Sequence, residues 1–149
     1  RRWQAMQATP EAATQLRRVS YAQAATDDVA FRWQTAYSAV SGALPLDQLP
    51  EVAVKNRVAA GTRGMSFVRC EIEVSQPGEG VLKFNTPVGL QGWLGAQPVE
   101  LQPETPIQLT PGRHRLTISI DRSEREEPLA IELQIPESST AIAKFVGGV

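Results

Sequence analysis

The single histidine of this 149-residue chain, His114, stands between Arg113 and Arg115. A zinc site or a catalytic triad needs its histidine beside further ligands or a nucleophile, and two flanking guanidinium groups oppose a bound cation. His114 therefore reads as a structural or sheet-rim residue. Hydrolysis of a glycosidic bond needs two acids held roughly 5 to 9.5 Å apart across a cleft. Glu71 and Glu73, two residues apart in "FVRCEIEV", are nominally that close on a strand. With Arg69 on the same strand face, they read instead as a solvated outer surface. The segment "DRSEREEP" offers Asp121, Glu124, Glu126 and Glu127 to calcium, yet its spacing departs from an EF-hand loop and two arginines interrupt it. The stretches "GTRG" and "GVLKFNTPVG" lack both the spacing of a phosphate loop and the helix that should follow one. These residues predict no catalysis, no metal and no cofactor.

The aromatics carry the remaining chemistry, because sugar rings present apolar C–H faces that stack on indole and phenol rings while polar neighbours bind the hydroxyls. Trp93 has Gln91 and Gln97 as polar companions, and Trp33 shares one side of a strand with Tyr37. These five are the candidate ligand-binding residues. Trp93 alternates against Leu90 and Leu94, which leaves it two roles: an outward stacking surface, or packing in the core or against a neighbouring domain. Cys70 shares a strand face with Val68, Ile72 and Val74, so it reads as a small buried hydrophobe rather than a reactive thiol.

The elements that must position these residues are mostly strands. Thr9, Pro10 and Glu11 form a helix start signal, followed by Ala12, Leu16 and Val19 at helical spacing, which predicts a short helix from about Pro10 to Ala24. From Asp27 onward the chain alternates apolar with polar positions: Phe31, Trp33, Thr35 and Tyr37; then Val52, Val54 and Val58 against Lys55 and Arg57; then "FVRCEIEV" and "VLKFN". In "GLQGWLGAQPVEL" a tryptophan strand runs into Gly95, which suits the first central position of a type II′ hairpin turn. "PIQL", "HRLTISI" and "LAIELQI" follow, and "STAIAKFVGGV" is able to add one more strand. Short strands about ten residues apart, each with one apolar face, predict an all-β antiparallel sandwich of jelly-roll character. The reading divides the chain into a helical lead-in at 1–27 and a β-sandwich at 28–149.

Lysine and arginine total 15 against 16 acidic residues, so no broad positive field argues for nucleic acid. No apolar run approaches the roughly 18 residues needed to span a bilayer, so no membrane insertion is expected. The chain opens at Arg1 without a methionine and reads as a piece of a longer polypeptide, with any export signal upstream.

The order of Met65–Ile120 with its later partner "LAIELQI" resembles the jelly-roll accessory modules of the PA14 and galactose-binding-like type. The matching stretches are Gly92 to Val99, an aromatic strand meeting a tight turn, and Ile107 to Ile120. A narrower likeness, carried by "WQTAYSAVSGALPLDQLP", is to C-terminal β-modules of large exported planctomycete-type proteins with dehydrogenase and cytochrome c domains. The chain has no Cys-x-x-Cys-His motif, so any haem would belong to another domain. PA14-like sugar binders hold calcium through adjacent aspartates; here the adjacent pair, Asp27 and Asp28, lies outside the matched stretch. The resemblance implies a non-catalytic, extracytoplasmic accessory module that binds carbohydrate or another extracellular ligand. The alternative is a structural module packed against a neighbouring enzyme or cytochrome c domain.

Overall fold

In the computed structural model, which describes residues 1–56 and 60–147, two antiparallel sheets of eight and three strands stack on one another. The organising element is β4 (Thr62–Gln76). Its alternation puts Val68, Cys70, Ile72 and Val74 on the inner face, each no more than 6% exposed. One edge of β4 is taken by β9 (Gly112–Asp121) over Met65–Val74. The other edge is divided among β3 (Val52–Lys55), β1 (Arg2–Met6) and β11 (Ile142–Phe145). Beyond β1 lies β2 (Trp33–Tyr37), and beyond β9 lie β6 (Leu90–Leu94) and β7 (Gln97–Val99). The small sheet has the order β10 (Ile131–Gln134), β5 (Gly78–Phe84), β8 (Glu104–Leu109). Val58 and Arg57, expected to extend the strand after Val54, lie outside the described residues.

The core between the sheets is built from the apolar positions that the period of two marks. Leu116, Ile118 and Ile120 of β9 meet Leu82 and Phe84 of β5, Ile107 and Leu109 of β8, and Leu129 and Ile131. Burying each such side chain contributes about 1.5–3 kcal/mol. The hairpin between β6 and β7 turns through Gly95 and Ala96, with Leu94 opposite Gln97. Gly95 has φ +61° while Ala96 keeps a negative φ, the sign pattern of a type II′ turn.

Three features depart from the sequence reading. The expected lead-in contributes a strand: β1 lies between β2 and β4, with Trp3 and Ala5 buried in the main core. The helix is shorter than expected, α1 (Pro10–Arg18), capped by the Thr9 hydroxyl accepting from the Ala12 N–H. Ser20 is fully extended, so the chain leaves the helix there and resumes as a 3₁₀ turn over Tyr21–Ala25. Finally, the back of the large sheet is wet only in part. Met65 and Phe67 of β4, Val52 and Val54 of β3, and Met6 form a second buried cluster with Ala12 and Leu16 of α1, Ala24 and Phe31. The N-terminal segment therefore covers one half of the outer face.

Burial pushes the Cys70 thiol up to about 12 from 9.0, with Arg1 opposing the shift and Glu71 adding to it. A thiol whose folded pKa lies above its unfolded value stabilises the fold below the unfolded pKa and loses that contribution as pH rises. Stability should therefore fall between about pH 9 and 12, at up to about 1.4 kcal/mol per pH unit from this group. Urea titrations of the parent and of Cys70→Ala across that range test this. Identical pH slopes for the two proteins would rule it out.

Candidate functional site

The five aromatic and amide residues singled out above do not converge. Trp33 and Tyr37 lie on β2 at one edge of the large sheet, while Gln91, Trp93 and Gln97 lie on β6 and β7 at the other. Three strands separate them, and the four strand-to-strand steps amount to about 19 Å. Trp93 is only 6% exposed, so its ring presents no face to a ligand and the packing role holds instead of the stacking one. Gln91 and Gln97 are exposed but look opposite ways: Gln97 sits opposite Leu94, whereas Gln91 alternates with that residue and shares the outer face with Trp93. Alternation correctly put Trp93 on the face opposite the leucines. It carried no information about what covers that face.

Tyr37 is 64% exposed, and Trp33 is half-buried at the border of the covered region. They belong to the uncovered half of the outer face. The register there sets Tyr37, Thr35 and Trp33 of β2 against Arg2, Gln4 and Met6 of β1, and Gln4 against Arg69 of β4. Next come Glu71 opposite Arg115 and Glu73 opposite Arg113. A pocket of about 340 Å³ opens among them, lined by side chains that include Arg2, Gln4, Thr35, Arg69, Glu71 and Arg115. It lies where β4 passes from the partner β1 to the partner β11, leaving a notch at Cys70 and Glu71.

The charges of this face are largely paired. Arg113 Nη1 is 3.3 Å from Glu71 Oε2 and its Nε 3.8 Å from Glu73, which Lys144 approaches at 4.0 Å. Arg115 donates to Asp27 at 2.7 Å, and this bond holds the Asp27 carboxyl below the usual range. Asp28 is likewise held down, first by the Ala30 N–H and then by Gln23 and Gln15. The adjacent aspartates thus serve two different hydrogen-bond sets. Arg69 differs from its neighbours. Its guanidinium lies 4.0 Å over the Trp33 ring and donates Nε–H to Gln4 Oε1 at 2.7 Å. Burial, then the neighbouring Arg115, lowers its pKa from 12.5 to about 10.

The other residues weighed for chemistry are engaged elsewhere. His114 Nε2 contacts the Thr110 carbonyl and hydroxyl at the sheet rim. Asp121 pairs with Arg63 and accepts from the Ser123 N–H and hydroxyl. Among the described residues no group of three or more His, Cys, Asp or Glu side chains is placed to hold a metal ion, and no helix is long and apolar enough to cross a membrane.

A larger cleft, about 830 Å³, separates β10 from β11. Ile131, Leu133, Ala143 and Phe145 line it, and Val40 stands fully exposed at its rim. The Arg1 guanidinium lies inside, 3.7 Å over the Phe145 ring, donating from Nη2 to the Ile131 carbonyl. No protein-family model matches the chain, and neither the curated proteins nor the solved structures yield a match.

Proposed function

We propose that this chain is a non-catalytic accessory module of a larger exported protein, and that it binds a glycan on the uncovered half of the large sheet's outer face. The observation that carries the reading is the open Tyr37 ring on the edge strand β2, beside a polar pocket with Thr35, Gln4, Arg69 and Glu71 in its wall. Tyr37 and Trp33, four residues apart on β2, are separated by about 13 Å. Aromatic carbon surface with hydroxyl, amide and guanidinium groups between suits the alternating apolar and polar surfaces of a sugar chain. The acids best placed for hydrolysis, Glu71 and Glu73, are ion-paired at the surface, which favours binding over turnover.

Affinity electrophoresis of the chain through gels containing plant, algal and bacterial polysaccharides should show retardation by at least one. Tyr37→Ala should abolish that retardation with the melting temperature unchanged, since the ring is largely in solvent. Free migration in every gel, or full retardation of the variant, would count against the reading. The cleft between β10 and β11 favours a second one, a structural module docking a neighbouring domain. Among the described residues each of these strands is paired on one side only, so their open edges flank the cleft floored by Ile131, Leu133, Ala143 and Phe145. Slower amide exchange on β10 in the longer parent protein than in this chain would favour that reading.

A further inference from the structure

We infer that the glycan taken by this face is acidic, and that Arg69 is the residue that receives its carboxylate. The inference rests on the glycan-binding reading and adds its chemical class. Arg69 is held by two of its surfaces: Nε–H is spent on Gln4 and one flat side lies on Trp33. What remains is the outer fork, two Nη groups that meet no acceptor among the described residues. The acids nearby, Asp27 and Glu71, act on Arg69 through space but are ion-paired to Arg115 and Arg113, and among the described residues no carboxylate forms an ion pair with Arg69. A guanidinium pre-set in this way loses little side-chain entropy on binding, and its geometry matches a carboxylate bidentately.

The surroundings add to the same field. Arg2, Arg113 and Arg115 line the pocket with Arg69; Arg113 is offset by Glu71 and Glu73 and Arg115 by Asp27, which leaves Arg2 and Arg69 as the arginines of its wall without an ion pair among the described residues. This local excess of positive charge sits on a chain whose net charge is −1, so it is a property of the face and not of the protein. The burial that makes the charge of Arg69 costly is offset when an anion arrives, because a paired charge bears desolvation better than an isolated one. An oligouronate joins both requirements: one sugar ring offers carbon surface to Tyr37 while the carboxylate of a sugar further along the chain reaches the fork, which lies toward Trp33. The side chain of an acidic peptide supplies the second without the first.

Isothermal titration separates these sources. The probes are oligomers of galacturonate, glucuronate and mannuronate, the methyl ester of whichever binds best, and oligoglutamate. At least one uronate oligomer should bind, with affinity falling as salt is raised, and its methyl ester should bind at least about tenfold more weakly. Arg69→Gln should lose a similar factor with the domain still folded by circular dichroism at the temperature of the titration. Arg69→Lys should recover only part of it, because the charge returns without the fork. If the ester binds as tightly as the acid and Arg69→Gln is silent, the acidic class is wrong while glycan binding stands. If no uronate binds and neutral polysaccharides still retard the chain, the conclusion is the same. If nothing containing sugar binds at all, the reading on which this inference rests falls with it. Oligoglutamate binding as tightly as the uronate, with the same dependence on Arg69, would replace the glycan with an acidic peptide.

Discussion

Replacing Arg125 by alanine is expected to destabilise the protein by about 3 kcal/mol or more, a loss set by the several acceptors that this one side chain satisfies. Arg125 is 3% exposed, in a segment whose charges would place it in solvent. Its Nη1 donates to the carbonyls of Thr86 and Val88, its Nη2 to Asn85 Oδ1 and the Pro128 carbonyl, and its Nε to the Glu127 carbonyl. One side of this network is the connection from β5 to β6, the other the connection from β9 to β10. Each connection runs between the two sheets, so Arg125 fastens them at one end of the sandwich. Gly89, with φ +72°, brings the backbone so close that a Cβ there would lie 3.0 Å from the Arg125 Cβ. Alanine would leave the Thr86, Val88 and Glu127 carbonyls to find water in a space shaped for a guanidinium, while Asn85 Oδ1 and the Pro128 carbonyl keep the Ala130 N–H and the Asn85 amide, and lysine cannot reproduce the fork. For a chain of this length the midpoint of thermal unfolding should drop by roughly 6–12 °C. A shift of under a degree or two for Arg125→Ala would mean that the loop carbonyls are hydrated and the fastening is not real.

Phe67→Ala should cost about 3–5 kcal/mol, and its signature should be local as well as global. The ring is 1% exposed and lies on the outer face, against Tyr21 in an edge-on contact with centroids 5.8 Å apart. It belongs to the second cluster, where Ala12 and Leu16 of α1 meet Met6 and Met65. A nine-residue helix is too short to persist by its own hydrogen bonding, so α1 depends on this packing. Amide exchange in α1 should therefore accelerate in Phe67→Ala by more than in a core variant of equal global cost, such as Ile118→Ala. Equal acceleration in both variants would show that α1 opens only when the whole domain unfolds.

The pattern of apolar positions was enough to place Val68, Cys70, Ile72 and Val74 on one face of a long strand, and Leu116, Ile118 and Ile120 on the facing side of its neighbour. It also marked the turn at Gly95 and the cap at Thr9, because those rest on the φ angle of one residue or on a hydroxyl three residues from its donor. The strand Arg2–Met6 was not legible: it has five residues, none β-branched, and its partners are Tyr37 and Arg69, far along the chain. The candidate binding residues were legible as residue types but not as a place. Gln91 and Gln97 look alike in sequence, and only the hairpin register sends them to opposite faces.

What the sequence by itself determined is which side of each strand is apolar, since side chains alternate with a period of two whatever the strand pairs with. Tertiary structure alone decided which of those sides would meet water. The outer face of the large sheet is dry where α1 and Phe31 fold back over Phe67 and open where they do not. The reason is that burial depends on contacts between segments tens of residues apart, and no local spacing encodes which segment will arrive. Tyr37 is left open by that difference, and the pocket beside Arg69 lies on the part of the face that the covering does not reach.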